Sequence, residues 1–338
     1  MKIAILGAGS WAIALSALLQ KRRHNVAMWE FNPAVAKKLA VERELPSKLP
    51  GILIPEPVAI TDDIARAVED ADIVVAAVPA QTMRATMRHL AASVPQERLA
   101  AIKGFVVVAK GIETGTLELM SDVLLEELPA MTAGRIAVLS GPSHAEEVSR
   151  DILTAVVAAS ENHSLALMVQ KAFSTETFRI YTNPDMRGVE LSGSVKNVIA
   201  IAAGICDGLG LGDNTKGMLL TRGIAEMMRL GKKLGAHQST FSGLAGIGDL
   251  ITTCTSRHSR NRRMGELIAS GLTLEGALEK MTMVAEGVET TRSVYALAKK
   301  HDIEMPITRE VYKALFEGKN VRLAARELMI RESKPEWW

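Results

Sequence analysis

Residues 2–12 read Lys2-Ile3-Ala4-Ile5-Leu6-Gly7-Ala8-Gly9-Ser10-Trp11-Ala12. The short run at 2–6, apolar after Lys2, is followed by two glycines separated by one residue. A helical pattern then begins, with Ala12 three residues after Gly9. The first glycine permits a tight turn, and the second lets the backbone approach a pyrophosphate. The helix that follows offers free N–H groups and the positive end of its dipole to that anion. A second apolar run at 26–29 ends in Glu30, which lies 21 residues after Gly9. An acid there accepts hydrogen bonds from ribose hydroxyls and repels a 2′-phosphate. Taken alone, G-x-G-x-x-A also describes an ordinary strand-to-helix turn. The strand before it, the helix after it and the acid that ends the next strand together favour dinucleotide binding.

Further apolar runs at 72–78, 105–109, 135–139, 153–159 and 177–181 alternate with helical segments. These lie at 11–21, 33–43, 81–92, 116–127 and 162–173. Such alternation predicts an α/β domain with a mostly parallel sheet and helices on both faces. Prolines 46, 50, 55 and 57 mark 45–57 as an irregular loop. After about residue 188 the strand pattern stops. Helical periodicity covers 189–208, 216–234, 262–270, 273–281, 288–300 and 306–317. The expected division is a dinucleotide-binding domain at 1–188 and an all-α substrate domain at 189–338.

Of the 338 residues, 48% are hydrophobic and 4% aromatic, and the net charge is +2. These values allow a sizeable core and give no nucleic-acid signature. The N-terminus enters a strand at once, without the features of a signal peptide. No uninterrupted apolar run reaches the ~18 residues of a membrane span. Cys206 and Cys254 are too few for a disulfide framework and read as buried small side chains. The expectation is a cytoplasmic protein in a reducing environment, with no membrane or nucleic-acid partner. No metal-ligand spacing is evident.

Four segments carry candidate chemistry. Lys110 follows the run 105–109, at the carboxyl end of a strand where ligands of open α/β sheets bind; its spacing leaves a solvated loop lysine equally open. Gly141-Pro142-Ser143-His144 forms a glycine turn after another strand. His144, a single histidine with no partner in the pattern, is read as structural. Lys196 is the one charge in the apolar stretch Leu191–Gly204. A lysine on a buried helix must be paired or face a cavity, and its pKa shifts readily enough for acid–base work. Finally, Ser256–Arg263 is a basic cluster at a helix start. That arrangement suits a phosphate, although a solvated basic loop is the commoner meaning of such a cluster.

Together the chain resembles the NAD(P)-dependent glycerol-3-phosphate dehydrogenases of bacterial type. The resemblance rests on Gly7–Trp11, Lys110-Gly111, Gly141–Glu147, Gly193–Asn197, Gly204–Lys216, Gly246–Thr253, Ser259–Arg263 and Ala285–Val288, and spans residues 2 to about 290. It implies a Rossmann domain joined to a helical domain. The implied reaction is interconversion of dihydroxyacetone phosphate and sn-glycerol 3-phosphate, supplying the glycerophospholipid backbone. By motif position, the catalytic groups would be Lys196, Lys110 and Asp249. The substrate would meet Lys110, Gly141, Ser143, Asn197, Asp249, Thr253, Ser259, Arg260 and Asn261. The dinucleotide would meet Gly7, Gly9, Ser10, Trp11, Glu30, Phe31, Lys110, Ala145, Arg260, Val284 and Glu286. Two positions depart from the family pattern. Ala12 replaces a glycine, and the stretch around Phe31 lacks a His or Arg. Glu30 and that second departure favour NAD over NADP. The assembly left open is a homodimer. Two rival readings remain: a dehydrogenase of a hydroxy acid, and a non-catalytic dinucleotide sensor.

Overall fold

The computed structural model describes residues 1–129, 131–333, 335 and 336. The end of the expected second domain, at 334, 337 and 338, lies outside the described residues. The first half forms an eight-stranded sheet: β1 (Lys2–Leu6), β2 (Asn25–Trp29), β3 (Ala59–Thr61), β4 (Ile73–Ala76), β5 (Gly104–Val107), β6 (Ile136–Ser140), β7 (Thr154–Ala159) and β8 (Phe178–Asn183). Their order is β3-β2-β1-β4-β5-β6-β7-β8. The first six run parallel. β7 is antiparallel to β6, and β8 is parallel to β7. The central strands are buried on both faces, which explains their unbroken apolar runs. One apolar cluster built on Ile3, Ile5 and Val106 fills one face, and another built on Ala4, Val74 and Phe105 fills the other.

All seven expected strands are present. The unpredicted one, β3, is a three-residue strand at the sheet edge, too short to carry a period. The segment expected to be helical from 116 starts only at Met120. An isolated bridge between Ile112 and Leu119 closes a turn over the residues before it. Strand order reverses between β1 and β4, so the loop at Gly7 opens at the topological switch point where open α/β sheets bind ligands.

Among the described residues no strand follows β8. The second half is helical and is organised around Met186–Gly208, a 23-residue helix buried along nearly its whole length. By length and composition this helix could cross a membrane, but 94% of its most apolar window is buried inside the protein. Its periodicity is weak because neighbours cover every side. That is the pattern of a core helix. Near its start, the buried Glu190 carboxylate accepts hydrogen bonds from the Ser121 backbone N–H (3.0 Å) and hydroxyl, which ties it to the sheet half. Burial pushes the Glu190 pKa up to about 7. Cys254 is buried as expected, whereas Cys206 is only half-buried. Burial raises both thiols, to about 12 and about 11 respectively.

The helix Arg260–Ala269 packs closely on this core helix. A Cβ on Gly204 would stand 1.9 Å from the Arg262 carbonyl oxygen. Helix propensity alone favours Gly→Ala by about 1 kcal/mol. Overpacking against backbone costs about 1–3 kcal/mol or more, so the clash wins. Gly204→Ala should therefore lower the Tm. Gly217→Ala, on the exposed face of the helix Gly212–Lys233 with open space around its Cβ, should raise the Tm or leave it unchanged. Thermal unfolding of the two variants checks this; equal behaviour would contradict it.

Candidate active site

The phosphate-binding turn forms as its sequence requires. Gly7 has φ +113°, which favours glycine, and a Cβ there would meet the Ala77 carbonyl oxygen at 2.8 Å. Gly9 sits at the N-cap of the helix Ser10–Lys21, and no side chain caps that helix. A Cβ on Gly9 would enter open space. The uncapped amides and the bare backbone fit a dinucleotide pyrophosphate. Glu30, at the end of β2, is largely buried, and its Oε1 accepts the Asn32 N–H at 3.0 Å. Burial raises its pKa, opposed by that hydrogen bond and by Lys48. Phe31 beside it is exposed.

The second centre lies beyond the carboxyl ends of β5 and β6, where the core helix passes them. Lys196 is 4% exposed and Asp249 2%. The Lys196 Nζ donates to Asp249 Oδ1 and to Thr253 Oγ1, both at 2.6 Å. The other carboxylate oxygen, Oδ2, accepts from Lys110 Nζ at 2.7 Å. Thr253, one turn after Asp249 on the helix Asp249–Thr255, donates its hydroxyl to Oδ1 at 3.1 Å. One buried carboxylate thus bridges two lysines.

Burial brings the Lys196 pKa down to about 8, with Lys110 adding to the fall and Asp249 opposing it. Burial pushes Asp249 the other way, but the two ammonium groups hold it below the usual carboxylate range. Lys196 can therefore carry or release a proton near neutral pH, while Asp249 stays charged.

The loop after β6 is joined to this cluster. The Gly141 carbonyl accepts from Lys110 Nζ and from the Ser143 hydroxyl, each at 3.0 Å. Asn197 donates to the Lys110 carbonyl at 3.3 Å and accepts from Asn261 at 2.8 Å. Asn261 Oδ1 in turn accepts the Gly287 N–H at 2.9 Å. Ser259 caps the helix Arg260–Ala269 by accepting the Arg262 N–H. Of the basic cluster, Arg262 and Arg263 pair with acids. Arg260 is exposed and makes no hydrogen bond or ion pair among the described residues.

In the helical half, Glu286 opens the helix Glu286–Lys300 and accepts the Ala80 N–H of the sheet half at 3.2 Å. Burial raises its pKa, with the Ala80 hydrogen bond and Arg260 acting against that. Ala145 begins a short helix after the Ser143 turn, while Val284 is exposed and outside the hydrogen-bonded net.

Two features surround this centre. His144, read from the pattern as structural, lies 5.9 Å from the His258 ring, and burial, with the charges of Lys196 and Lys110, lowers its pKa to about 4. It is a neutral wall of the pocket. The turn that carries Lys110 is held by Gln81 and Ser293, which donate to the Ile112 carbonyl at 2.9 and 3.0 Å. Those partners are too distant in sequence for any local signal. Among the described residues no His/Cys/Asp/Glu group could hold a metal ion.

A dinucleotide cradle in the sheet half and a buried lysine–carboxylate–lysine centre built from both halves are the layout of a nicotinamide-dependent dehydrogenase. Comparison with known proteins specifies the family. The N-terminal description of NAD-dependent glycerol-3-phosphate dehydrogenase matches residues 2–166, and its C-terminal description matches residues 185–326. The NAD(P)+ glycerol-3-phosphate dehydrogenase of Fusobacterium nucleatum subsp. nucleatum is 47% identical over 336 residues, covering 99% of this chain and 98% of that protein. The one from Chlorobium luteolum is 48% identical over 336 residues, covering 99% of each chain. The crystal structure of glycerol-3-phosphate dehydrogenase from Coxiella burnetii superposes with a TM-score of 0.92 at 37% identity, covering 98% of this chain and 99% of that one. The chain belongs to the NAD-dependent glycerol-3-phosphate dehydrogenase family.

If Lys196 is the proton donor, Lys196→Met should lower kcat by about 10²–10⁴, the range for losing a general acid, and leave the Kd for the dinucleotide nearly unchanged. Steady-state turnover and cofactor titration measure the two quantities. A variant that keeps more than about half the kcat would remove Lys196 from the chemistry.

Proposed function

We propose that the protein interconverts dihydroxyacetone phosphate and sn-glycerol 3-phosphate with NAD(H) or NADP(H). In this reading residues 1–188 hold the dinucleotide and residues 189–338 the substrate. The observation that carries it is the Asn197–Asn261 hydrogen bond of 2.8 Å. It sets the start of the helix Arg260–Ala269, with Arg260 free of an ion pair, beside the neighbour of Lys196. In this reading a proton-transfer centre and an anion clamp engage the two ends of one small molecule.

Gly7, Gly9, Ser10 and Trp11 hold the dinucleotide phosphates, and Glu30 meets the ribose, with Phe31, Ala145, Val284 and Glu286 along the rest of the cofactor. The nicotinamide, when bound, supplies or accepts the hydride at the substrate's central carbon. In the reductive direction negative charge grows on the ketone oxygen. The Lys196 ammonium donates its proton to that oxygen, and Lys110 offsets the charge before transfer. Asp249 favours the charged form of Lys196 and holds both lysines in place. Gly141, Ser143, Asn197 and Thr253 line the reacting end. Ser259, Arg260 and Asn261 hold the phosphate, so binding at the far end orients the ketone. The product serves as the backbone of glycerophospholipids. The setting proposed is the cytoplasm, and the assembly a homodimer.

Two outcomes test this reading. A guanidinium matches phosphate oxygens in bidentate fashion, and losing such a contact costs about 2–5 kcal/mol. Arg260→Ala should therefore cut kcat/KM for dihydroxyacetone phosphate at least about tenfold and erase much of the preference over unphosphorylated dihydroxyacetone. Arg257→Ala should act mildly. If neither change matters, the substrate is not held by its phosphate at this helix. For the cofactor, a carboxylate at Glu30 repels a 2′-phosphate. NADH should exceed NADPH in kcat/KM, and Glu30→Ala should narrow the gap; equal use of the two by the unaltered enzyme would refute the role of Glu30.

A further inference from the structure

We propose that Asp207 is a positioning residue for the substrate phosphate, acting through Arg262 and Lys216 to fix the start of the helix Arg260–Ala269. This rests on the phosphate-clamp reading above. Among the described residues no hydrogen bond or ion pair holds the Arg260 side chain, whose charge is felt by Glu286, so its location follows from where its helix begins and how that helix is rotated.

Close approaches at Gly204, Gly208 and Gly265 set the distance between this helix and the core helix. A Cβ on Gly204 would meet the Arg262 carbonyl, and one on Gly265 would stand 2.0 Å from the Ile201 carbonyl. Beyond its first turn the helix is held by Met264, Leu267 and Ile268, which are buried in the apolar core of the second half. The first turn, which carries Arg260, is held in addition by polar ties. Asn261 bonds Asn197 on one side. On the adjacent position, Arg262 Nε donates to Asp207 Oδ2 at 2.6 Å, while Lys216 Nζ reaches Asp207 Oδ1 at 2.5 Å. These three side chains are about one-fifth exposed.

Asp207 lies in the last turn of the core helix Met186–Gly208. There the helix dipole disfavours an acid, so the local sequence gives no reason for it. The two cations offset that cost, and one of them belongs to the phosphate helix. The Gly204–Lys216 segment supplies no group to the reacting centre, and this tether accounts for both of its charged side chains that face inward.

The test uses the full-length chain carrying Asp207→Asn, which keeps the shape and weakens both ion pairs. The expected result is a fall of at least about tenfold in kcat/KM for dihydroxyacetone phosphate, carried mainly by KM. The kcat/KM for unphosphorylated dihydroxyacetone and the Kd for NADH should stay within about twofold. Coupled residues give non-additive losses, so Asp207→Asn combined with Arg260→Ala should be no worse than Arg260→Ala alone. Lys216→Met should shift the same ratio in the same direction and supplies the result if Asp207→Asn does not fold. An equal loss for the two ketones, or additive losses in the double variant, would overturn the proposal. If Arg260→Ala alone leaves dihydroxyacetone phosphate turnover intact, the clamp reading itself fails, a result distinct from a failure of Asp207.

Discussion

The buried carboxylate of Asp249, shared by Lys110 and Lys196, is the contact on which the rest of this structure depends. Burying two ammonium groups beside each other is costly unless a carboxylate and hydrogen bonds compensate them. Asp249 supplies one oxygen to each lysine, and Thr253 and the Gly141 carbonyl take part of the remaining bonding. The three charges come from three separate places: the end of β5, the middle of the core helix and a short helix near residue 250. The centre therefore exists only when both halves of the chain are folded together.

This arrangement also explains why Lys196 suits proton transfer. Burial alone would discharge it, and Asp249 alone would hold it charged too firmly. The two effects leave its pKa at about 8, close to the pH at which a cell works, where a general acid is most effective. Lys110, more exposed and bound to the other carboxylate oxygen, need not release its proton to be useful. The neutral His144 ring adds no positive charge to a pocket that already holds two.

Much of this was legible in the sequence, for reasons that differ by residue. The strands β1, β4, β5 and β6 are buried on both faces, so their apolar runs stood out. The β3 edge strand, three residues long, did not. Gly7 and Gly9 announced themselves through spacing. Lys196 was visible because apolar neighbours on all sides of it in Leu191–Gly204 make a snorkelling surface lysine the poorer explanation of that charge. Lys110 was ambiguous, since a lysine after a strand is as often solvated. Asp249 carries no local signal at all: an acid after Gly-Ile-Gly is ordinary, and only the resemblance to a family marked it. The ties through Gln81, Ser293 and Asp207 join residues far apart in sequence, and no periodicity encodes them. His144, a single histidine with no partner in the pattern, reads as structural, and its buried neutral ring fits that reading.

The most direct test of the account is the pH dependence of kcat for dihydroxyacetone phosphate reduction in the unaltered enzyme and in Asp249→Asn. Asp249 is the group that holds the Lys196 proton against burial, and Lys196 must be charged to act as the acid. The unaltered enzyme should lose kcat as pH rises through about 8. In the variant the descending limb should move to lower pH, because the lysine now loses its proton more easily. A limb that stays at the same pH in the variant would contradict the claim that this carboxylate sets the proton affinity of the catalytic lysine.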